Sequence, residues 1–354
     1  MKKHNFSAGP CVLPKSVLDK CSKSILEFNK LGLSLIEISH RSKDFIEVME
    51  KARLLTKELL KIPKGYSILF LQGGASLEFL MVPANLLKHK AAYLKTGTWA
   101  NKAINEAELY GEVNIVGDSS DTNYSYIPKG YHIPKDIDYF HCTSNNTIFG
   151  TQIHEFPEVP SLMVCDMSSD IFSREINIDR FDLIYAGAQK NMGPAGTTLV
   201  IVKDEILGKT NRKIPTMLDY QTHIKKESMF NTPPVFAVYA SMLTLEWLKN
   251  KGGIKEIEKI NRLKSETLYT EIDRNSLFNG ISNIEDRSIM NVTFDTTRKD
   301  INIMFDQLCD KAGIYGIKGH RSVGGYRASI YNALSIDSVN HLVEIMQDLE
   351  IKMK

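Results

Sequence analysis

A lysine at position 190 stands in Tyr185-Ala186-Gly187-Ala188-Gln189-Lys190-Asn191-Met192-Gly193-Pro194-Ala195-Gly196, directly after an apolar run and among small residues. A loop lysine is ordinarily a solvated surface charge. Here the apolar strand in front and the Gly-Pro-Ala-Gly turn behind favour burial, and the glycines leave room for a bulky group. A desolvated amine has a lowered pKa and can attack a carbonyl carbon. Asp166 closes the apolar run 162–165. A carboxylate at the carboxyl end of a parallel strand points into the ligand crevice of an open α/β sheet. Ser168 and Ser169 follow it, so a helix N-cap is the plainer account of the same residue. The third element is Gln72-Gly73-Gly74-Ala75-Ser76, where a strand runs into glycines and then a helix. Free N–H groups and the positive dipole end of a helix make such a turn an anion cradle, although Gly-Gly before a helix is more often only a turn. It is neither a P-loop nor a G-x-G-x-x-G fingerprint.

Together the three fit one cofactor. Pyridoxal phosphate needs an anion site, an acidic partner for its pyridine nitrogen and a lysine for a Schiff base. Asp166 would keep the nitrogen protonated, and Lys190 would carry the cofactor and move the substrate's proton. Trp99, in Thr96-Gly97-Thr98-Trp99-Ala100, could stack on the ring.

The elements that must position these residues are legible as alternation. Short apolar runs at 67–71, 91–94, 113–116, 137–142, 162–165, 183–186 and 198–202 read as strands, and 77–87 reads as a helix. Alternation of this kind predicts an α/β fold, with a mainly parallel sheet covered by helices on both faces. Pro233-Pro234 opens a long helical pattern through Trp247, and Gly252-Gly253 breaks it. A polar helix at 254–277, a strand at 289–294, a helix at 301–312, a strand at 326–330 and a final helix follow. The expected division is a large domain over 15–252 and a smaller α+β domain over 253–354 joined by the N-terminal segment 1–14.

The 354 residues suit about two domains. With 44 basic against 42 acidic residues the formal net charge is +2, which gives no reason to expect nucleic acid or a membrane surface as partner. Cys11, Cys21, Cys142, Cys165 and Cys309 show neither disulfide framework nor metal-ligand spacing. No apolar run reaches the roughly 20 residues needed to span a bilayer. A soluble cytoplasmic protein without a metal is the expectation.

Arg41, Arg321 and Arg327, with His40 and His320 beside the first two, are the remaining informative group, since arginine holds carboxylate and phosphate by paired charge-assisted bonds. A lone buried arginine more often ends in a structural ion pair. His320 has no second ligand at metal spacing.

Eight stretches carry a resemblance: NFSAGP at 5–10, EISHRS at 37–42, QGGASLE at 72–78, TGTW at 96–99, DMSSD at 166–170, YAGAQKNMG at 185–193, FNTP at 230–233 and HRSVGGYRAS at 320–329. Over nearly its whole length the chain resembles the phosphoserine aminotransferases, a family of class V, fold-type-I pyridoxal-phosphate enzymes. The resemblance implies Lys190 as Schiff-base lysine, Asp166 as pyridinium partner and Trp99 as stacking ring. It implies Ala75, Ser76 and Gln189 at the cofactor phosphate and Thr147 near its 3-oxygen, beside Asn146 where relatives commonly carry Glu. Asn231 and Thr232 would reach the cofactor phosphate across a homodimer interface. Asn231 also reads as a helix N-cap. Arg327 would take the substrate α-carboxylate, and Arg41, His320 and Arg321 the distal phosphate or the side-chain carboxylate of glutamate. The implied reaction moves an amino group from L-glutamate to 3-phosphohydroxypyruvate, giving O-phospho-L-serine and 2-oxoglutarate in serine biosynthesis. A related phosphorylated four-carbon substrate of pyridoxine biosynthesis is a second implied role. Within class V the competing readings are an alanine–glyoxylate aminotransferase and a cysteine desulfurase, the latter poor because neither Cys142 nor Cys309 lies in a glycine- and serine-rich loop.

Overall fold

The computed structural model describes residues 3–353, so both extreme ends of the expected smaller domain, 1–2 and 354, lie outside the described residues. Seven strands form the central sheet in the order Tyr66–Leu71, Thr198–Lys203, Leu183–Gly187, Leu162–Asp166, Tyr139–Thr143, Lys90–Lys95 and Glu112–Asp118. Leu183–Gly187, Leu162–Asp166, Tyr139–Thr143, Lys90–Lys95 and Glu112–Asp118 pair in parallel. Thr198–Lys203 runs antiparallel to both of its neighbours. The loop 188–197 returns the chain directly, without the crossover helix a parallel neighbour would need. Lys190 lies on that loop.

Alternation along the strands sends side chains to two apolar layers. Leu69, Tyr93, Val164 and Tyr185 pack under the helices Gly74–Leu86 and Thr98–Ala107, which supply Phe79, Met81 and Ile104. Phe70, Leu94, Phe140 and Cys165 face the other way, against Lys15–Leu26, Lys43–Leu59 and Val235–Asn250. Both faces of the sheet are therefore covered, and its strands are the near-continuous apolar runs that such burial requires.

A second core gathers Phe6, Leu268, Phe294, Phe305, Ile330 and Leu342. It lies between the antiparallel strands Phe278–Gly280, Asn291–Thr296 and Tyr326–Ser329 and the helices Gly253–Arg274, Lys299–Ala312 and Ile336–Met353. The N-terminal strand His4–Asn5 joins it by pairing in parallel with Ile314–Tyr315. Gly253–Arg274 spans both cores, with Ile254 and Ile257 in the first and Leu268 and Ile272 in the second.

Two strands start two residues later than the sequence expectation. The run at 289–294 enters the ladder only at Asn291, because the Ile289 N–H donates to the Gln152 side chain and the Met290 N–H to the Ser288 hydroxyl. The run at 137–142 begins at Tyr139; Asp138 before it gives its N–H to the Lys90 carbonyl at 2.7 Å and takes the amides of Lys88, His89 and Lys90 on its carboxylate. Among the described residues no helix is long and apolar enough to cross a membrane, and all five cysteines are free.

Candidate active site

At the carboxyl ends of the parallel strands lies a cavity of about 380 Å³. Ala75, Ser76, Trp99, Thr147, Asp166, Gln189, Lys190, His320 and Arg327 all line it. Ala8 and Gly9, Gly73 and Gly74, Phe79, Ile148 and Ser168 complete the wall. A roomier groove of about 700 Å³ lies elsewhere, around 127–133 and 152–158. Its lysine is already neutralised, Lys129 pairing with Glu285 at 2.9 Å and Asp286 at 3.5 Å.

Asp166 is buried at the end of its strand. The Ser168 amide and hydroxyl both donate to Oδ1, at 2.9 and 2.6 Å, so Asp166 bonds the turn that follows it, but no helix starts there and the N-cap reading does not hold. Among the described residues Oδ2 receives no hydrogen bond and stays available to a bound donor. Burial pushes the carboxyl above its ordinary range, while the Lys190 charge and the Ser168 bonds pull it back. A cationic ring N–H placed against Oδ2 would add to that pull.

Burial lowers the Lys190 ammonium from its usual value, and the charge of Arg327 lowers it further against the opposing pull of Asp166. The backbone around the lysine is held rather than loose. The Cys11 amide donates to the Gln189 carbonyl at 3.1 Å and the Cys11 thiol to the Lys190 carbonyl. Asn191 Nδ2 donates to the Ile171 carbonyl at 2.7 Å. Burial raises that thiol to about 12, so it serves as a donor and not as a thiolate.

The helix Gly74–Leu86 opens toward the cavity with no side chain capping its first turn. Its Gly73 sits at φ 93°, and a Cβ there would fall 2.6 Å from Cβ of Leu77. Uncapped amides at the start of a long helix, open to a cavity, suit a phosphate. Trp99 donates its indole N–H to the Thr147 hydroxyl at 3.0 Å, and Lys190 Nζ lies 5.4 Å from the ring centroid. Arg327 Nη1 donates to the Thr147 carbonyl at 3.1 Å, while its buried Nε has no partner. Burial lowers its pKa from the usual guanidinium value. A desolvated, incompletely bonded guanidinium is a site waiting for an anion.

His320 donates to or accepts from Ser322 at 2.7 Å, and burial with the charges of Arg327, Arg321 and Lys102 disfavours its protonated form. Arg321 and Arg41 are exposed and do not line the cavity of the single chain. Asn231 and Thr232 do not line it either. Asn231 is not the N-cap of the following helix, a position Pro234 takes, and the Thr232 carbonyl accepts from Gln72 at 2.8 Å. Asn146 is buried beside Thr147, donating to Thr151 Oγ1 at 3.0 Å.

Residues 3–342 match the family model described as aminotransferase class-V. The chain belongs to that family. It is 65% identical to the phosphoserine aminotransferase of Flavobacterium psychrophilum, with all of both chains covered. Among solved structures, the phosphoserine aminotransferase of Bacillus circulans subsp. alkalophilus superposes with a TM-score of 0.97 at 39% identity, covering 100% of this chain and 99% of that one. The pyridoxal-phosphate-bound phosphoserine aminotransferase of Trichomonas vaginalis does so with 0.93 at 35% identity, covering 98% and 100%.

For this class-V aminotransferase the sequence had flagged the lysine, the aspartate and the glycine turn. It named Ser168 beside Asp166 only as part of a helix cap, and it missed Cys11, Asn191 and the Ala8–Gly9 wall. Ser168 carried a signal, because a serine two residues after a strand-end aspartate is placed to bond it. Cys11 carried none, since its contact spans 179 positions.

Proposed function

We propose that the protein transfers an amino group between L-glutamate and 3-phosphohydroxypyruvate, giving 2-oxoglutarate and O-phospho-L-serine, with pyridoxal phosphate as its cofactor. The observation that carries this is the convergence of Lys190, Asp166 and the uncapped Gly74–Leu86 helix on one cavity that Arg327 also lines. The names of the most similar relatives support the same reading.

When bound, pyridoxal phosphate supplies a carbonyl carbon for amines and a ring that accepts the electron pair left on the substrate Cα. The chain supplies the rest. Ala75, Ser76 and Gln189 bind the phosphate, and Trp99 packs against the ring. Thr147 would lie near its ring oxygen, and Asp166 Oδ2 would hold a proton on its ring nitrogen. The lowered pKa of Lys190 favours its neutral, nucleophilic amine, and with the cofactor bound Nζ would be the base that takes the substrate Cα proton and the acid that gives it back. Arg327 orients the α-carboxylate by a fork of charge-assisted bonds.

His320, Arg321 and Arg41 take the distal phosphate or the glutamate side-chain carboxylate. Asn231 and Thr232 serve the cofactor phosphate of a second subunit. The active species is a homodimer, and its place is the cytoplasm, in accord with five free cysteines. Formation of 4-phosphohydroxy-L-threonine for pyridoxine biosynthesis is a second use of the same site.

The purified protein is incubated with O-phospho-L-serine and 2-oxoglutarate, and glutamate is measured, with L-alanine and glyoxylate in parallel. Glutamate formed from the phosphorylated donor, with little turnover of alanine, is the expected result. Preferred turnover of alanine would leave the cofactor chemistry standing and overturn the substrate. Sedimentation velocity should give twice the chain mass.

A further inference from the structure

Lys264 is wholly buried in the helix Gly253–Arg274, a stretch whose sequence reads as a polar surface helix. Among the described residues no carboxylate pairs with it. Its ammonium instead donates to three backbone carbonyls, those of Ile330 at 2.8 Å, Tyr331 at 2.7 Å and Leu334 at 3.2 Å. A cation taken from water and met only by dipoles is costly to keep, and burial lowers its pKa to about 7. A methionine would fill the same volume without that cost. What the ammonium does in return is hold three carbonyls of one corner together.

They arrange a corner that touches three parts of the catalytic cavity. The strand Tyr326–Ser329, which carries Arg327, ends directly before it. Tyr331 donates its hydroxyl proton to the Ala8 carbonyl at 2.8 Å, and Ala8 lines the cavity. The Asn332 N–H donates to Asn191 Oδ1 at 3.0 Å, one residue from Lys190. One turn before Lys264 on the same helix face, Asn261 donates to Asn332 Oδ1 at 2.8 Å and to the Ser173 carbonyl at 3.0 Å. Asn332 Nδ2 in turn donates to the Phe172 carbonyl at 3.0 Å. Lys264 and Asn261 thus grip the corner from one helix, and the corner reaches both the substrate arginine's strand and the lysine's loop.

We propose that Lys264, seconded by Asn261, is a positioning residue for amino transfer. It sets the register of the 330–334 corner and through it places Arg327 and the Lys190 loop relative to one another. The proposal rests on the reading of Arg327 as the carboxylate-binding residue.

The test compares full-length holoenzyme with Lys264→Met, using O-phospho-L-serine and 2-oxoglutarate. The variant should stay folded and keep its cofactor absorbance, while kcat/KM falls roughly ten- to hundredfold, since a misplacement on the order of 1 Å at a catalytic group costs up to about 10²-fold. Most of the loss should appear as a raised KM for both carboxylate substrates, with faster hydrogen exchange over 327–334 and at Asn191. A variant with lowered Tm but unchanged KM and unchanged exchange at those positions would reduce Lys264 to a stabilising residue and overturn the proposal. Should Lys264→Met fail to fold, Asn261→Ser removes a single strut and should give the same KM shift at smaller size; unchanged KM there overturns the proposal too. Wild-type protein that turns over neither substrate would instead count against the proposed function. Hydrogen exchange in the two proteins still decides the positioning role in that event, since unchanged protection overturns it.

Discussion

The Nη1 of Arg327 donates to the carbonyl of Thr147 at 3.1 Å, tying the strand Tyr326–Ser329 of the C-terminal sheet to the loop that carries the Trp99 contact. The guanidinium can keep this bond and still present a fork to a carboxylate, because it has five donors in a fixed plane. Lysine carries its three donors on one tetrahedral nitrogen and cannot present a planar fork beside this bond. Arg327→Lys should raise KM for amino-acid and keto-acid substrates about ten- to hundredfold, the equivalent of one charge-assisted bond of roughly 1.5–3 kcal/mol. Cofactor absorbance should not change. Steady-state kinetics with unaltered KM would remove Arg327 from the substrate site.

The phosphate cradle can be tested through its geometry. Gly73 has φ 93°, and a side chain there would meet Leu77 Cβ at 2.6 Å. Gly73→Ala therefore combines left-handed strain of about 1–3 kcal/mol with a push on the first turn of the helix. The cofactor Kd should rise about tenfold or more by titration of the apoprotein, an effect of at least about 1.4 kcal/mol. An unchanged Kd would mean that the turn does not hold the phosphate.

Lys190→Ala removes the nucleophile and the proton carrier together. Turnover should fall at least about 10³-fold, in line with the loss of a general base and a covalent step. The visible band of lysine-bound cofactor should vanish even where the cofactor still binds through its phosphate. Activity at a normal rate would refute the assignment.

What the sequence disclosed follows from range. Lys190, Asp166 and Gly73-Gly74 each sit at a strand end, so local apolar patterning placed them, and the topology then carried three strand ends to one edge of the sheet. Trp99 and Thr147 were named separately, and nothing local showed that they bond each other. The antiparallel course of Thr198–Lys203 was hidden for a similar reason, since an apolar run fully buried on both faces reads the same in either direction. Lys264 was hidden more deeply. In a helix rich in Lys and Glu it reads as one more solvated charge, and only the fold shows three carbonyls around it. Arg41 and Arg321 were named from motifs, and the single chain leaves both outside the cavity, which is where a second subunit's contribution enters the proposal.

Glu78 gives the remaining prediction, with a defined sign. It is fully buried one turn into the cradle helix, accepts a hydrogen bond from the Tyr220 hydroxyl, and leaves Oε1 without a partner. Burial raises its carboxyl from 4.5 to about 8, with the Asp166 charge adding to the rise against the pull of Tyr220. The folded protein thus keeps a proton that the unfolded chain releases. Where the native state binds more protons, stability falls as pH rises, here from about 4.5 until about 8 is passed. The upper limit of the slope is about 1.4 kcal/mol per pH unit. Glu78→Gln keeps the acceptor for Tyr220 and cannot ionise, so its unfolding free energy should lack this component and exceed the wild-type value most at pH 8. Asp166 is raised by burial in the same direction, but it is present in both proteins and drops out of the difference. Urea unfolding of both apoproteins between pH 5 and 8.5 measures that difference. Parallel curves across the range would show that Glu78 ionises at its ordinary pKa, with water reaching a carboxyl that is fully buried against the Tyr220 hydroxyl.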